Sequence, residues 1–241
     1  MKKKFRKVMN METISKDIFD NTVPATDQLK GSNEVCFFGD SDADFKVIFI
    51  GNSITRHRPY PDIGWERDCG MAASSIANDY VHICLNELRA IYGKVSACIA
   101  QCAAWEREYN SDTILEEKYT QARDFAADLV VVRIGENTRR ELLEKHGYKD
   151  AFDKMVRFFA SDPNAKVVVT GMFWRDTYLE EAMRSVADEN GYCFVKIDDL
   201  GDDDSMKALG LFEHHGVAIH PGDLGMKNIA DRIMSAARGI L

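Results

Sequence analysis

Short apolar runs separated by amphipathic stretches set the pattern of this chain from Val35 onward. The runs cover residues 35–38, 47–50, 95–99, 129–134, 167–170 and 192–197. Because they are apolar at nearly every position, they read as strands covered on both faces rather than strands with one wet face. Between them apolar residues recur at helical spacing. Tyr80, Val81, Cys84, Leu85, Leu88 and Ile91 predict a helix over about 74–92, and further helices are expected over about 112–127, 148–160 and 177–190. A last helix follows Gly222, with Met226, Ile229, Ala230 and Ile233 on one face.

Strand and helix in alternation predict a three-layer α/β/α sandwich. The last five runs form a five-stranded parallel sheet in the flavodoxin-like order 2-1-3-4-5. Residues 1–33 mix charges, Asn, Thr and Pro24 without sustained periodicity and read as an extension to a single domain over 34–241. In this architecture ligands bind beyond the carboxyl ends of the strands, so the chemistry is expected there.

Composition narrows the partners. At 45% hydrophobic and 29% charged residues the chain is an ordinary globular one, and its formal net charge of -8 argues against a nucleic-acid backbone and for a small neutral substrate. No apolar run approaches the roughly 20 residues that span a bilayer, so no membrane partner is expected. The basic start at Lys2, Lys3 and Lys4 leads into Asn10, Glu12 and Lys16, where an export signal would be apolar. The six cysteines show no C-x-x-C pair, and Cys98 and Cys102 lack further ligands nearby, so neither a metal nor a cofactor is expected. Reduced, mostly buried thiols in a cytoplasmic protein follow.

Three segments, two of them at strand ends, carry chemistry. The run at 47–50 leads into Gly51-Asn52-Ser53, the run at 129–134 into Gly135-Glu136-Asn137, and His220-Pro221-Gly222 precedes the last helix. A serine hydroxyl needs an imidazole to take its proton and fixed donors for the oxyanion that forms on the attacked carbonyl. Ser53, His220 and Asn137 are of the types that fill those roles. Ser53 has a competing reading as a helix N-cap, and Asn137 as a turn former.

In order and context these segments resemble the SGNH, or GDSL-like, hydrolases, over roughly residues 45–240. That family has G-[DN]-S after the first strand, G-x-N after the third and a histidine before the last helix. The resemblance implies a serine nucleophile at Ser53, a base at His220 and an oxyanion hole of Ser53 N–H, Asn137 and a backbone N–H after the second strand. That third donor falls on Cys102 or, one later, Ala103, with Cys102 taken first. One departure is larger. The family has D-x-x-H, but Val217 stands three residues before His220. The imidazole is then oriented by Glu213, by Asp223 or by a backbone carbonyl in a Ser-His dyad.

The long segment 59–71 is a candidate wall of the site, with Trp65 as a stacking surface. Trp105 and Trp174 are expected at the same rim. His214 and His215 read as a solvated loop pair, and His57 either lines the pocket or faces water. The resemblance implies hydrolysis of a carboxylic ester; loops that supply aromatics and polar groups rather than an extended apolar channel, with three tryptophans expected at one rim, favour a short acyl (acetyl) group on a carbohydrate or small molecule. The alternatives are a catalytically degenerate module that binds a glycan or partner, and a lysophospholipase or acyl-thioesterase.

Overall fold

Residues 34–241 are described in the computed structural model, and the extension expected over 1–33 lies outside the described residues. The strands are β1 (Val35–Gly39), β2 (Phe45–Gly51), β3 (Val95–Gln101), β4 (Leu129–Arg133), β5 (Lys166–Thr170) and β6 (Cys193–Val195). They form one sheet in the order β1-β3-β2-β4-β5-β6. Its five parallel strands, β3-β2-β4-β5-β6, reproduce the 2-1-3-4-5 order expected from the sequence. The sixth, β1, adds an antiparallel edge, with Val35 opposite Ala100. The turn over residues 40–44 between β1 and β2 is too short for the crossover that parallel neighbours need, so β1 folds back and pairs with β3 instead.

The helices are α1 (Tyr80–Tyr92), α2 (Ala103–Arg107), α3 (Ile114–Asp124), α4 (Arg140–Leu143), α5 (Lys149–Phe159), α6 (Thr177–Asn190), α7 (Asp198–Asp202), α8 (His215–Ala218) and α9 (Asp223–Arg238). Helix α1 starts later than the apolar spacing suggests. Ala72 is left-handed at φ 74°, and the Asp79 carboxylate caps the helix by accepting from His82 N at 2.8 Å. Asp176 caps α6 in the same way, and Gly191, at φ 68°, closes it.

Alternate strand residues feed two cores. Val47, Phe49, Ala97, Ile99 and Val131 pack with α1 and α9, whereas Ile48, Ile50, Cys98, Val130 and Val132 pack with α3, α5 and α6. Each fully buried Val or Ile contributes about 1.5–3 kcal/mol, and the central strands bury them on both sides. That is why their runs are apolar throughout. All six cysteines are free thiols, and among the described residues no helix is long and apolar enough to cross a membrane.

Because β2, β3 and β4 are parallel and in register, with Gly51 level with both Gln101 and Arg133, their carboxyl ends open on one rim. Ser53 lies two residues past the middle one. Strands on either side of β2 are reached by connections leaving in opposite directions, which opens a crevice at that point.

Candidate active site

Ser53 follows a sharp turn that depends on Gly51. A Cβ on Gly51 would collide with the Thr55 side chain, and Thr55 N and Arg56 N both donate to Asn52 O at 3.0 Å. No helix begins at this turn, so Ser53 is not an N-cap. Its Oγ lies 2.9 Å from His220 Nε2.

His220 is held from every side. Ala208 N donates to its carbonyl, and its own N–H donates to Val217 O, each at 3.0 Å. That i to i−3 bond leaves the Gly216 carbonyl free of its usual helical partner, and His220 Nδ1 donates to it at 2.6 Å. A carbonyl can only accept, so Nδ1 carries the hydrogen and Nε2 presents its lone pair to Ser53. The Trp174 ring meets the imidazole edge-on, with centroids 4.9 Å apart. Burial lowers the His220 pKa to about 4, with the Gly216 bond opposing that shift and the Arg133 charge adding to it.

The group that orients His220 is therefore a backbone carbonyl, one of three candidates in the sequence. Glu213 is exposed and makes no contact with the ring, which corrects its assignment as orienter. Asp223 is engaged with Ser74 N at 2.7 Å and Asn78 Nδ2 at 3.0 Å. Val217, at the family's Asp position, is fully buried in the core.

Cys102 also needs correction. Its N–H continues the sheet ladder by donating to Gly51 O at 2.6 Å, so it is not available to a ligand. The next residue, Ala103, lines the cleft, and its N–H donates to Gln101 Oε1 at 3.1 Å. Asn137 lines the cleft with Ser53 and His220.

Behind Asn137 lies a buried polar network that the sequence did not flag. Glu106, fully buried on α2, accepts from Asn137 Nδ2 at 2.6 Å, Gly135 N at 2.6 Å and Asn52 Nδ2 at 2.9 Å. Asn52 Nδ2 also donates to Glu136 at 2.6 Å, and Asn52 Oδ1 accepts from Arg133 at 2.6 Å. Arg133 closes the chain with a two-pronged bond to Glu136 at 2.9 and 2.8 Å. Burial, reinforced by the Glu136 charge, raises the Glu106 pKa, while its donors oppose that shift. The network fixes both neighbours of the serine site, Asn52 and Asn137. One signal for it was present in the sequence: Arg133 is a charge inside an otherwise apolar strand.

Two of the three tryptophans are not where the sequence placed them. Trp65 is completely buried and donates from Nε1 to His57 O at 3.0 Å, and Trp105 is buried among Tyr109 and Tyr148. Neither can stack on a ligand, whereas Trp174 touches His220 instead. The cleft of about 740 Å³ is walled by Tyr60, Ile63, Met71, Ala103, Ala104 and several polar side chains. His57 and His214 reach it, and His57 Nδ1 donates to Arg58 O at 2.6 Å.

No protein-family model and no curated protein matches the sequence. Solved structures do match the fold. A protein assigned as a GDSL-like lipase from Parabacteroides merdae ATCC 43184 superposes with TM-score 0.54 at 17% identity, covering 84% of this chain and 99% of that one. A family two carbohydrate esterase from Clostridium thermocellum, in complex with cellohexaose, gives 0.55 at 15% identity over 84% of this chain and 67% of that one. A second GDSL-like protein, from Bacteroides ovatus ATCC 8483, gives 0.50 at 13% identity over 81% and 99%. This chain has the α/β/α fold of the SGNH, or GDSL-like, hydrolases.

Proposed function

We propose that the protein is a serine esterase that works through a Ser53-His220 dyad. The observation that carries this reading is the 2.9 Å contact between Ser53 Oγ and His220 Nε2, with the opposite ring nitrogen locked on the Gly216 carbonyl. Nε2 takes the Ser53 proton as Oγ bonds to the ester carbonyl carbon, whose oxygen gains the negative charge. Ser53 N–H, Ala103 N–H and Asn137 Nδ2 receive that oxyanion, which replaces the Gln101 carboxamide at Ala103. Collapse breaks the bond to the alcohol oxygen, which leaves with the proton from Nε2. A water then gives its proton to Nε2 and attacks the acyl group, and Ser53 departs with the proton. Glu106 is a positioning residue here, since it aims the Asn137 amide.

The cleft walls favour a short acyl group. Ala103, Ala104, Met71 and Ile63 are its apolar side chains, and the rest of the lining is mostly polar. An acetyl ester of a sugar-like alcohol fits that lining, and the fold is shared with a carbohydrate esterase crystallised with cellohexaose.

A fluorophosphonate probe tests the reading. Covalent labelling of the parent chain that disappears in Ser53→Ala is the expected result. No labelling anywhere from about pH 6 to about pH 9 sinks the esterase and leaves the cleft as a binding site only.

The lowered His220 pKa gives a second expected outcome. The base is active when neutral, and a pKa of about 4 keeps it neutral at every pH above that value. A plot of kcat/KM for p-nitrophenyl acetate is therefore flat from about pH 7 to about pH 5 and falls only as pH approaches 4. An acid limb centred near the unperturbed histidine value of about 6.5 would contradict this.

A further inference from the structure

The -8 net charge of the chain argues for a neutral substrate, but the cleft runs against it. Three arginines and one glutamate carry the formal charges of its lining. Arg56 is neutralised by buried Asp68 at 2.7 Å, and Glu34 by Lys118 at 3.4 Å. Arg58 and Arg107 remain. Both are exposed, and among the described residues neither guanidinium has a carboxylate within reach. Elsewhere in the described chain arginines are mostly committed to carboxylates, as with Arg89, Arg123, Arg157, Arg232 and Arg238.

Their placement relates to the chemistry. Arg58 follows Ser53 by five residues on the loop beyond β2, and its backbone is pinned by His57. Arg107 comes from the other side, next to Glu106 on α2. Glu106 turns inward to Asn137, while Arg107 faces the cleft. Two guanidiniums with no carboxylate partner among the described residues thus line a concave site around Ser53 on a molecule of net negative charge. A guanidinium presents a planar fork that matches carboxylate or phosphate oxygens, and a cleft with one sign of charge concentrates ligands of the other.

Resting on the reading of this cleft as an ester site, we propose that its substrate is an ester bearing a negative charge, a carboxylate or a phosphate, bound by Arg58 and Arg107. Apart from Tyr60, aromatic stacking surface is scarce in the cleft, which also fits charge rather than ring stacking as the handle.

The test is binding to full-chain Ser53→Ala, which holds an ester without turning it over. Calorimetry compares three mono-O-acetylated methyl hexosides that differ only at C6: hydroxymethyl, carboxylate and phosphate. At least one charged ligand is expected to bind about tenfold or more tightly than the neutral one, and which one it is identifies the source of the charge. Raising NaCl from about 20 to about 500 mM should erase most of that preference. Adding Arg58→Gln and Arg107→Gln should bring the charged ligand down to the neutral one. Equal binding of all three ligands overturns the proposal, as does a preference that survives both substitutions. The outcome is separable from the labelling test. Labelled Ser53 without charge preference sinks only the anionic substrate, and charge preference without labelling supports the anion site while sinking the esterase.

Discussion

Replacing His220 with alanine is expected to lower kcat for p-nitrophenyl acetate by about 10²- to 10⁴-fold, the usual range for removing a positioned general base. The size of the effect follows from the geometry. Nε2 is the nitrogen facing Ser53 Oγ, at 2.9 Å, and the Gly216 carbonyl leaves it the unprotonated tautomer. Glu213→Gln is the informative contrast. A carboxylate orienter would make that change cost several orders of magnitude, whereas an exposed Glu213 outside the dyad predicts rates within about twofold of the parent. Wild-type turnover in His220→Ala would eliminate the base, and a large loss in Glu213→Gln would mean that the loop over residues 213–216 rearranges when substrate binds.

A dyad of this kind trades base strength for availability. The carboxylate of a triad stabilises the imidazolium that forms during the reaction, while a carbonyl dipole does so less. Burial of His220 then pushes its pKa well down rather than up. The cost is a weaker base, and the gain is a base that stays neutral into mild acid. Stability moves the other way. The unfolded chain, with an ordinary histidine, binds more protons than the native one between about pH 6.5 and about 4, so acidification through that window favours unfolding.

What could be read from the residues divides along physical lines. Parallel strands place their carboxyl ends on one rim, so Ser53 and Asn137 could be brought together from apolar runs, and the order of the motifs added His220. Nothing in the residues ruled Cys102 out, because the end of β3 is set by a backbone bond, Cys102 N to Gly51 O, that no side chain announces. The Gly216 acceptor is invisible for the same reason: every residue has a carbonyl, and only the fold decides which is left unpaired. Trp65 and Trp105 stand near strand ends in sequence, but large rings there fill the core as readily as a cleft. Net charge averages over the whole surface, so it could not show Arg58 and Arg107 as local exceptions at the cleft. Glu106 sits on a helix of five residues, too short for periodicity to show which way it points.

The buried network carries the largest expected effect on stability. Arg133→Met should destabilise the fold by about 3–5 kcal/mol, because it removes the cation that Glu136 grips with both oxygens and leaves an uncompensated buried charge. At roughly 2–4 °C per kcal/mol for a chain of this size, the melting temperature should fall by about 10 °C. Glu106 adds to the loss. Its carboxylate is already raised in pKa by burial and by Glu136, and Arg133 reaches it through Asn52. The test is a double-mutant cycle. If charge compensation is what Arg133 supplies, Arg133→Met in a Glu136→Gln background should cost markedly less than in the parent, with a coupling of about 1–3 kcal/mol. Equal costs in both backgrounds would reduce Arg133 to packing volume. Activity should depart from that cycle, because Asn52 loses the donor that holds its amide beside Ser53, and Glu136→Gln would restore stability without restoring that hydrogen bond.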